Sequence, residues 1–312
     1  MSFLGSLALT GIGAAVYKYD KDQKFEKHPN IQVPFEDYRQ KVYTKEYKLM
    51  KNRVHILFKN FLSELFTGSP EKYPFQAFTE LSKNRSDYSL TVLTVLTIYL
   101  IMFSLVLGFY WISITPIYSV LFMVFGPVGM VITGLHSVLH ANMFTLLFMR
   151  MSHINNNLVN TCLKIHTKDD LKNRKKPIKY YVPINSLYFW IYQLPVKGVK
   201  YILGISILMI LLSISFLPVV GPIAFHFMIT PFVTKIYFSK FLRLKSYSNV
   251  ERYEIFFQKF GMYTSFGMAA VLLESIPIVS GIALSTNTIG ITLLGLQTKI
   301  KTKTIAEPPE VS

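Results

Sequence analysis

Residues 88–149 read YSLTVLTVLTIYLIMFSLVLGFYWISITPIYSVLFMVFGPVGMVITGLHSVLHANMFTLLFM, without one Asp, Glu, Lys or Arg. Two further runs of the same kind follow at 201–234 and 260–298, and the only formal charge within the three is Glu274. About 18 apolar residues in a row are enough to mark a lipid-solvated helix, because buried charge and unpaired backbone are both costly in hydrocarbon. The expected class is an all-α membrane protein.

The charges gather outside these runs. Segments 1–87, 150–200, 235–259 and 299–312 are each net basic, within a chain of net charge +16. A basic excess by itself would suggest nucleic acid, but here it borders membrane segments, and nucleic acid is not expected. Lys- and Arg-rich flanks stay on the cytosolic side, so all four flanks share one side and each apolar run enters the membrane and returns. The turns are expected at Ser113–Pro116, at Pro218, Gly221 and Pro222, and at Pro277 and Gly281, since proline lacks a donor and clashes with the preceding turn. Three helical hairpins result, at 88–149, 201–234 and 260–298, forming a membrane domain 88–298. With arms of about 17 residues, the second hairpin is at the lower limit for a full crossing. Hairpins that return to their own side also suit the monolayer of a neutral-lipid droplet.

Residues 1–87 form an N-terminal region. An uncharged start, 1–17, lacks the basic n-region of a secretory signal and is expected to dip into a membrane, with a retained signal-anchor as the alternative. In 35–66, Tyr43, Tyr47, Met50, Val54, Leu57, Phe58, Phe61, Leu62 and Leu65 recur by threes and fours, giving a basic amphipathic helix. That helix lies in a membrane interface or packs its stripe on the protein; the pattern allows both. Lys172, Arg174, Lys175, Lys176 and Lys179 form a cationic cluster that either contacts anionic lipid, at roughly 1 kcal/mol each, or serves only to set topology. Residues 299–312 form a short tail. The weak echo of Gly126-Pro127 in Gly221-Pro222 marks either a duplication or two ordinary kinks.

Candidate chemistry is sparse. His136 and His140 lie four apart on one helix face, a spacing that can offer two ligands to a metal. No thiol or carboxylate accompanies them, so hydrogen bonding between helices is expected instead. Glu274 is an ionisable group inside a membrane segment, which points to function by default; the structural reading, a cap on the neighbouring turn or a protonated side chain, is favoured. There is no Gly-rich phosphate loop, nucleophile elbow or paired-Cys spacing. The chain is therefore expected not to be an enzyme and to carry no cofactor or metal. Cys162 is the only cysteine and is read as a small buried residue.

Leu272-Leu273-Glu274-Ser275-Ile276-Pro277, followed by Thr286-Asn287-Thr288-Ile289-Gly290, resembles the fungal lipid-droplet and outer spore wall family. Tyr263-Thr264-Ser265-Phe266-Gly267 and the Gly126-Pro127 break fit the same pattern. That family is in turn similar to the etoposide-induced and CysZ-like membrane proteins. The resemblance implies a multi-pass protein of lipid droplets and endomembranes (endoplasmic reticulum or prospore membrane) or of the spore wall. It would support lipid delivery or ascospore wall assembly during sporulation, with membrane or droplet phospholipids and related family members as partners. Glu274, Pro277, Asn287 and Gly290 carry over as motif residues without a catalytic duty. The alternative implied is a CysZ-like transporter or channel for a small anion, with Glu274 and His136 facing an aqueous path.

Overall fold

The structure, a computed structural model, describes residues 25–27, 35–152, 154–167, 179–183 and 185–298. The expected membrane dip at 1–17, the tail 299–312 and the cations Lys172, Arg174, Lys175 and Lys176 lie outside these residues. Lys179 opens a three-residue strand, β2 (Lys179–Tyr181), which pairs in parallel with β1 (Phe25–Lys27). Everything else regular among the described residues is helical. Among the described residues four helical segments are long and apolar enough to cross a membrane: Arg85–Ser113, Pro127–Met151, Phe189–Ser215 and Val279–Gln297.

The N-terminal region supplies α1 (Phe35–Phe66) and α2 (Tyr73–Lys83). The stripe expected on α1 divides into two. Leu57, Phe61 and Leu65 are half-buried, on the face that Arg53 ties to Glu254 (Nε to Oε1, 2.8 Å) and Glu64 ties to Lys259 (2.7 Å). Tyr47, Met50, Val54, Phe58, Leu62 and Phe66 stand exposed on the other face, near the exposed Lys48, Lys51 and Lys59. The packing face expected of α1 is present, and an apolar arc too wide for one neighbour leaves the other half of itself uncovered.

The first hairpin rises as α3 (Arg85–Ser113) and returns as α5 (Pro127–Met151), with α4 (Thr115–Phe122) between them. The return arm thus begins at Pro127 rather than near Ile117. The chain breaks at Ile114 and again at Gly126, whose φ of 61° is readily available to glycine. After α6 (Asn156–His166), the second hairpin rises as α7 (Leu194–Ser215), entered through a π-turn at Phe189–Gln193, and returns as α8 (Val220–Met228) and α9 (Thr230–Leu244). Its arms extend past 201 and 234 and are longer than the sequence suggested. Lys235 is accommodated in α9 because its Nζ sits 4.2 Å from the Tyr253 ring centroid and 4.3 Å from that of Phe256. α10 (Asn249–Gln258) leads to the third hairpin, α11 (Phe260–Glu274) and α12 (Val279–Gln297).

The second and third turns share a feature other than Gly-Pro. Val219 follows Pro218 at φ 60°, and Ile278 follows Pro277 at φ 73°. For β-branched residues such angles cost on the order of 1–3 kcal/mol, and the N–H of Val220 closes the tight turn on the Pro218 carbonyl at 2.5 Å.

Contacts along α5 place the tips at different depths. The Val219 turn meets α5 at His136 and the Glu274 turn meets it at Asn142. At ~1.5 Å per residue these points lie about 14 Å and about 22 Å below Pro127. The third hairpin is therefore the shallowest, although the sequence singled out the second. Its helix α12 is the hub, packing on α2, α3, α6, α9 and α11. Glycine permits that packing: a Cβ on Gly290 would stand 2.6 Å from the Tyr73 carbonyl oxygen. Gly290→Ala is expected to cost about 1–3 kcal/mol by overpacking, read as a lower melting temperature of the detergent-purified chain.

Candidate functional site

At the tip of the third hairpin α11 ends and the chain turns back into α12, leaving peptide groups without helical partners inside an apolar core. Side chains supply partners. The Glu274 carbonyl accepts from Asn142 Nδ2 on α5 at 2.9 Å and from Ser280 Oγ on α12 at 2.7 Å. Asn142 is itself held by the Tyr99 hydroxyl on α3, which donates to its Oδ1 at 2.7 Å. One turn is thus gripped by α3, α5 and α12.

The Glu274 side chain is fully buried and carries more of the structure. Its carboxylate receives Nη2 of Arg150, the Tyr237 hydroxyl, and Asn287 Nδ2 at 2.8 Å. Asn287 also donates to the Ala270 carbonyl at 3.1 Å. Each partner sits on a different helix: Arg150 on α5, Tyr237 on α9 and Asn287 on α12. A carboxylate in a low-dielectric interior needs both a countercharge and satisfied lone pairs. Here it finds one guanidinium and two neutral donors, so the side chain is paired rather than capping the turn, whose carbonyl Asn142 and Ser280 cap instead.

His136 and His140 lie higher on α5, in a separate group. His136 Nδ1 accepts the N–H of Val219 at 3.3 Å, which holds the strained second turn. His140 Nε2 lies 3.0 Å from Ser215 Oγ; that hydroxyl donates to the Leu212 carbonyl, so the imidazole is the donor. Both rings are buried among Tyr110, Tyr118, Phe144 and Phe216. Among the described residues no three His, Cys, Asp or Glu gather as a metal set.

The structure brings Glu274 and Asn287 together and leaves the histidines apart from them. Pro277 shapes the turn and Gly290 admits Tyr73. Arg150 and Tyr237 do not stand out because each belongs in sequence to a flanking region, and Asn142 is an uncharged residue inside an apolar run. The available signal was general: a lone buried acid requires a base. Pairing positions 124 apart is not visible in spacing.

Near this network Cys162 packs with Tyr88, Ala77 and Ile289. Burial pushes its thiol up to about 12, so at neutral pH the reactive thiolate is scarce. Cys162 is expected to resist maleimide in the folded protein and to react fully in detergent that unfolds it. Replacing Arg150 with Met should cost about 3–5 kcal/mol by stranding the carboxylate. The double variant Arg150→Met with Glu274→Gln should recover most of that loss in thermal unfolding.

The chain is 51% identical to outer spore wall protein LDS1 of Saccharomyces cerevisiae over 296 residues, 95% of this chain and 91% of that one. It is 26% identical to outer spore wall protein RRT8 of the same yeast over 261 residues, 77% of this chain and 75% of that one. No protein-family profile matches the chain, and no solved structure does.

Proposed function

The chain belongs to the outer spore wall protein family, and from that premise we propose that it is a non-enzymatic, lipid-embedded component of spore wall assembly, seated in the monolayer of a lipid droplet. The reading rests on the chemistry of the hairpin tips. Among the described residues the tips expose no charge, Glu274 at the third being fully buried, and they expose Ile112, Met123, Val124 and Phe125 in the first hairpin, Leu217 and Val220 in the second, and Ile276 and Ile278 in the third. A tip that emerges into water is expected to be polar; these suit oil.

Length argues the same way. As a 29-residue helix, α3 measures about 43 Å at ~1.5 Å per residue, against a bilayer core of about 30 Å. In a monolayer over neutral lipid no far aqueous face exists for the tip to cross. The outward face of α1 adds an interfacial anchor, with exposed aromatics and aliphatics beside Lys48, Lys51 and Lys59 that suit anionic headgroups. Phospholipids of the droplet or endomembrane are the partners this arrangement favours, and carriage of droplet lipid toward the forming wall is the role that follows. The fully buried carboxylate of Glu274, taken up by three donors, weighs against a conducting path through that residue.

A Val124→Cys variant tests the seating, since Cys162 contributes little background. An impermeant maleimide should fail to label it from either face of microsomes, and a fluorescent fusion should ring neutral-lipid droplets in sporulating cells. Labelling from the lumenal side, with the fusion spread over bilayer membranes, would place Trp111 at a far interface and sink the monolayer reading.

A further inference from the structure

A cationic face without an internal counterion lies between the second and third hairpins. Lys235, Ser239 and Arg243 recur every four residues along α9 and so share one side of it, and Lys240 stands three residues before Arg243 on the adjoining edge. α10 closes on the same side: Arg252 Nη1 donates to Ser239 Oγ at 3.4 Å, and the Lys235 ammonium sits 4.2 Å from the Tyr253 ring centroid. The four cations are repelling neighbours, Arg252 acting on Lys235, and Arg243 on both Lys240 and Arg252. Other flank cations have carboxylate partners, as Lys259 has in Glu64 at 2.7 Å. The acids nearest in sequence are engaged elsewhere, Glu254 with Arg53 and Glu251 with the N–H of Ser248 at 2.6 Å. Among the described residues Lys235, Lys240 and Arg243 form no ion pair. Self-repulsion of this kind is relieved by a bound anion.

Position along α9 selects the anion. Phe232 stands two turns before Ser239 on the same side, exposed, with its ring centroid 5.9 Å from that of Phe256. The face thus runs from aromatic near the hairpin to cationic at the flank, over about 16 Å along the helix axis from Phe232 to Arg243. A phospholipid has the same order of polarity, acyl chains first and phosphate after. A soluble anion would gain nothing from Phe232, and a zwitterionic headgroup brings its own cation, so a lipid of net negative charge is the complement. We propose that α9 and α10 bind an anionic phospholipid, with its headgroup phosphate over Ser239 among Lys235, Lys240, Arg243 and Arg252 and its acyl chains along Phe232. The site requires only that the chain be embedded in lipid, as proposed above, and serves a monolayer or a bilayer alike. Phosphatidic acid and phosphatidylserine present the same phosphate.

The test uses the full chain in phosphatidylcholine nanodiscs doped with one photoactivatable probe at a time: phosphatidic acid, phosphatidylserine or phosphatidylcholine. At least one anionic probe is expected to crosslink to α9 or α10 about tenfold more than the phosphatidylcholine probe, and the stronger of the two identifies the headgroup. The double variant Lys240→Gln with Arg243→Gln should lower that crosslink about tenfold. Ser239→Asp, which supplies a carboxylate among the same cations, should abolish it while raising the melting temperature, so that loss of lipid is read on a folded chain. Replacing Lys48, Lys51 and Lys59 of α1 with Gln should leave it intact, which separates this site from the interfacial face of α1. Equal crosslinking by the phosphatidylcholine probe, an undiminished crosslink in Ser239→Asp or the double variant, or an equal loss in the α1 variant would overturn the proposal. So would full displacement by millimolar inorganic phosphate, which would assign the cations to a soluble anion. Nanodiscs are bilayers, so the monolayer seating read at Val124→Cys can fail while this site holds, and the reverse.

Discussion

A carboxylate buried in an apolar core has to be matched, and the pairing of Glu274 with Arg150 is the constraint around which the other helices are arranged. Arg150 ends the first hairpin, Tyr237 lies in the return arm of the second, and Glu274 and Asn287 bracket the turn of the third. Hydrocarbon provides little drive for one apolar helix to prefer another, so polar contacts between helices set which ones meet and in what register. An ion pair with two further donors is a demanding form of that contact. It tolerates no sliding, since a shift of one helical residue would strand charge in oil.

The descending depths of the three tips follow from the same pairing. Because Glu274 must reach Arg150 near the base of α5, the third hairpin cannot extend as deep as the first. Its helices instead settle among α1, α2 and α6 on the flanking side, which makes α12 the most enclosed of the four span-length helices. The outer helices α3 and α7 remain largely uncovered, as expected of surfaces solvated by acyl chains. Small residues make the close approaches at the hub: Gly261 against α1, Gly267 against Thr230 and Gly290 against Tyr73.

Membership of the outer spore wall family is carried by the sequence identity, and the oil-compatible set of tips supports the lipid-handling role proposed above. The network at Glu274 has the composition of an active site, with Arg, Tyr, Asn and Glu in contact, yet its carboxylate is consumed by its neighbours. What remains unmatched beside it is Arg150 Nε, buried without a hydrogen-bond partner.

Local sequence was sufficient for the helical class and for the apolar runs that supply the span-length helices, because absence of charge and the presence of proline are properties of short segments. The two-sided character of α1 and the second break at Gly126 were less legible: periodicity reports an apolar face but not how much of it a neighbour covers. The true turn pattern, a β-branched residue after Pro218 and Pro277, also escaped, since residue type alone does not disclose a positive φ. Hydrophobicity therefore determined, from the sequence by itself, that this chain carries helices long and apolar enough to cross a membrane. Only the tertiary structure decided which buried groups meet, because charge pairing between residues far apart in sequence depends on distances that no local pattern encodes.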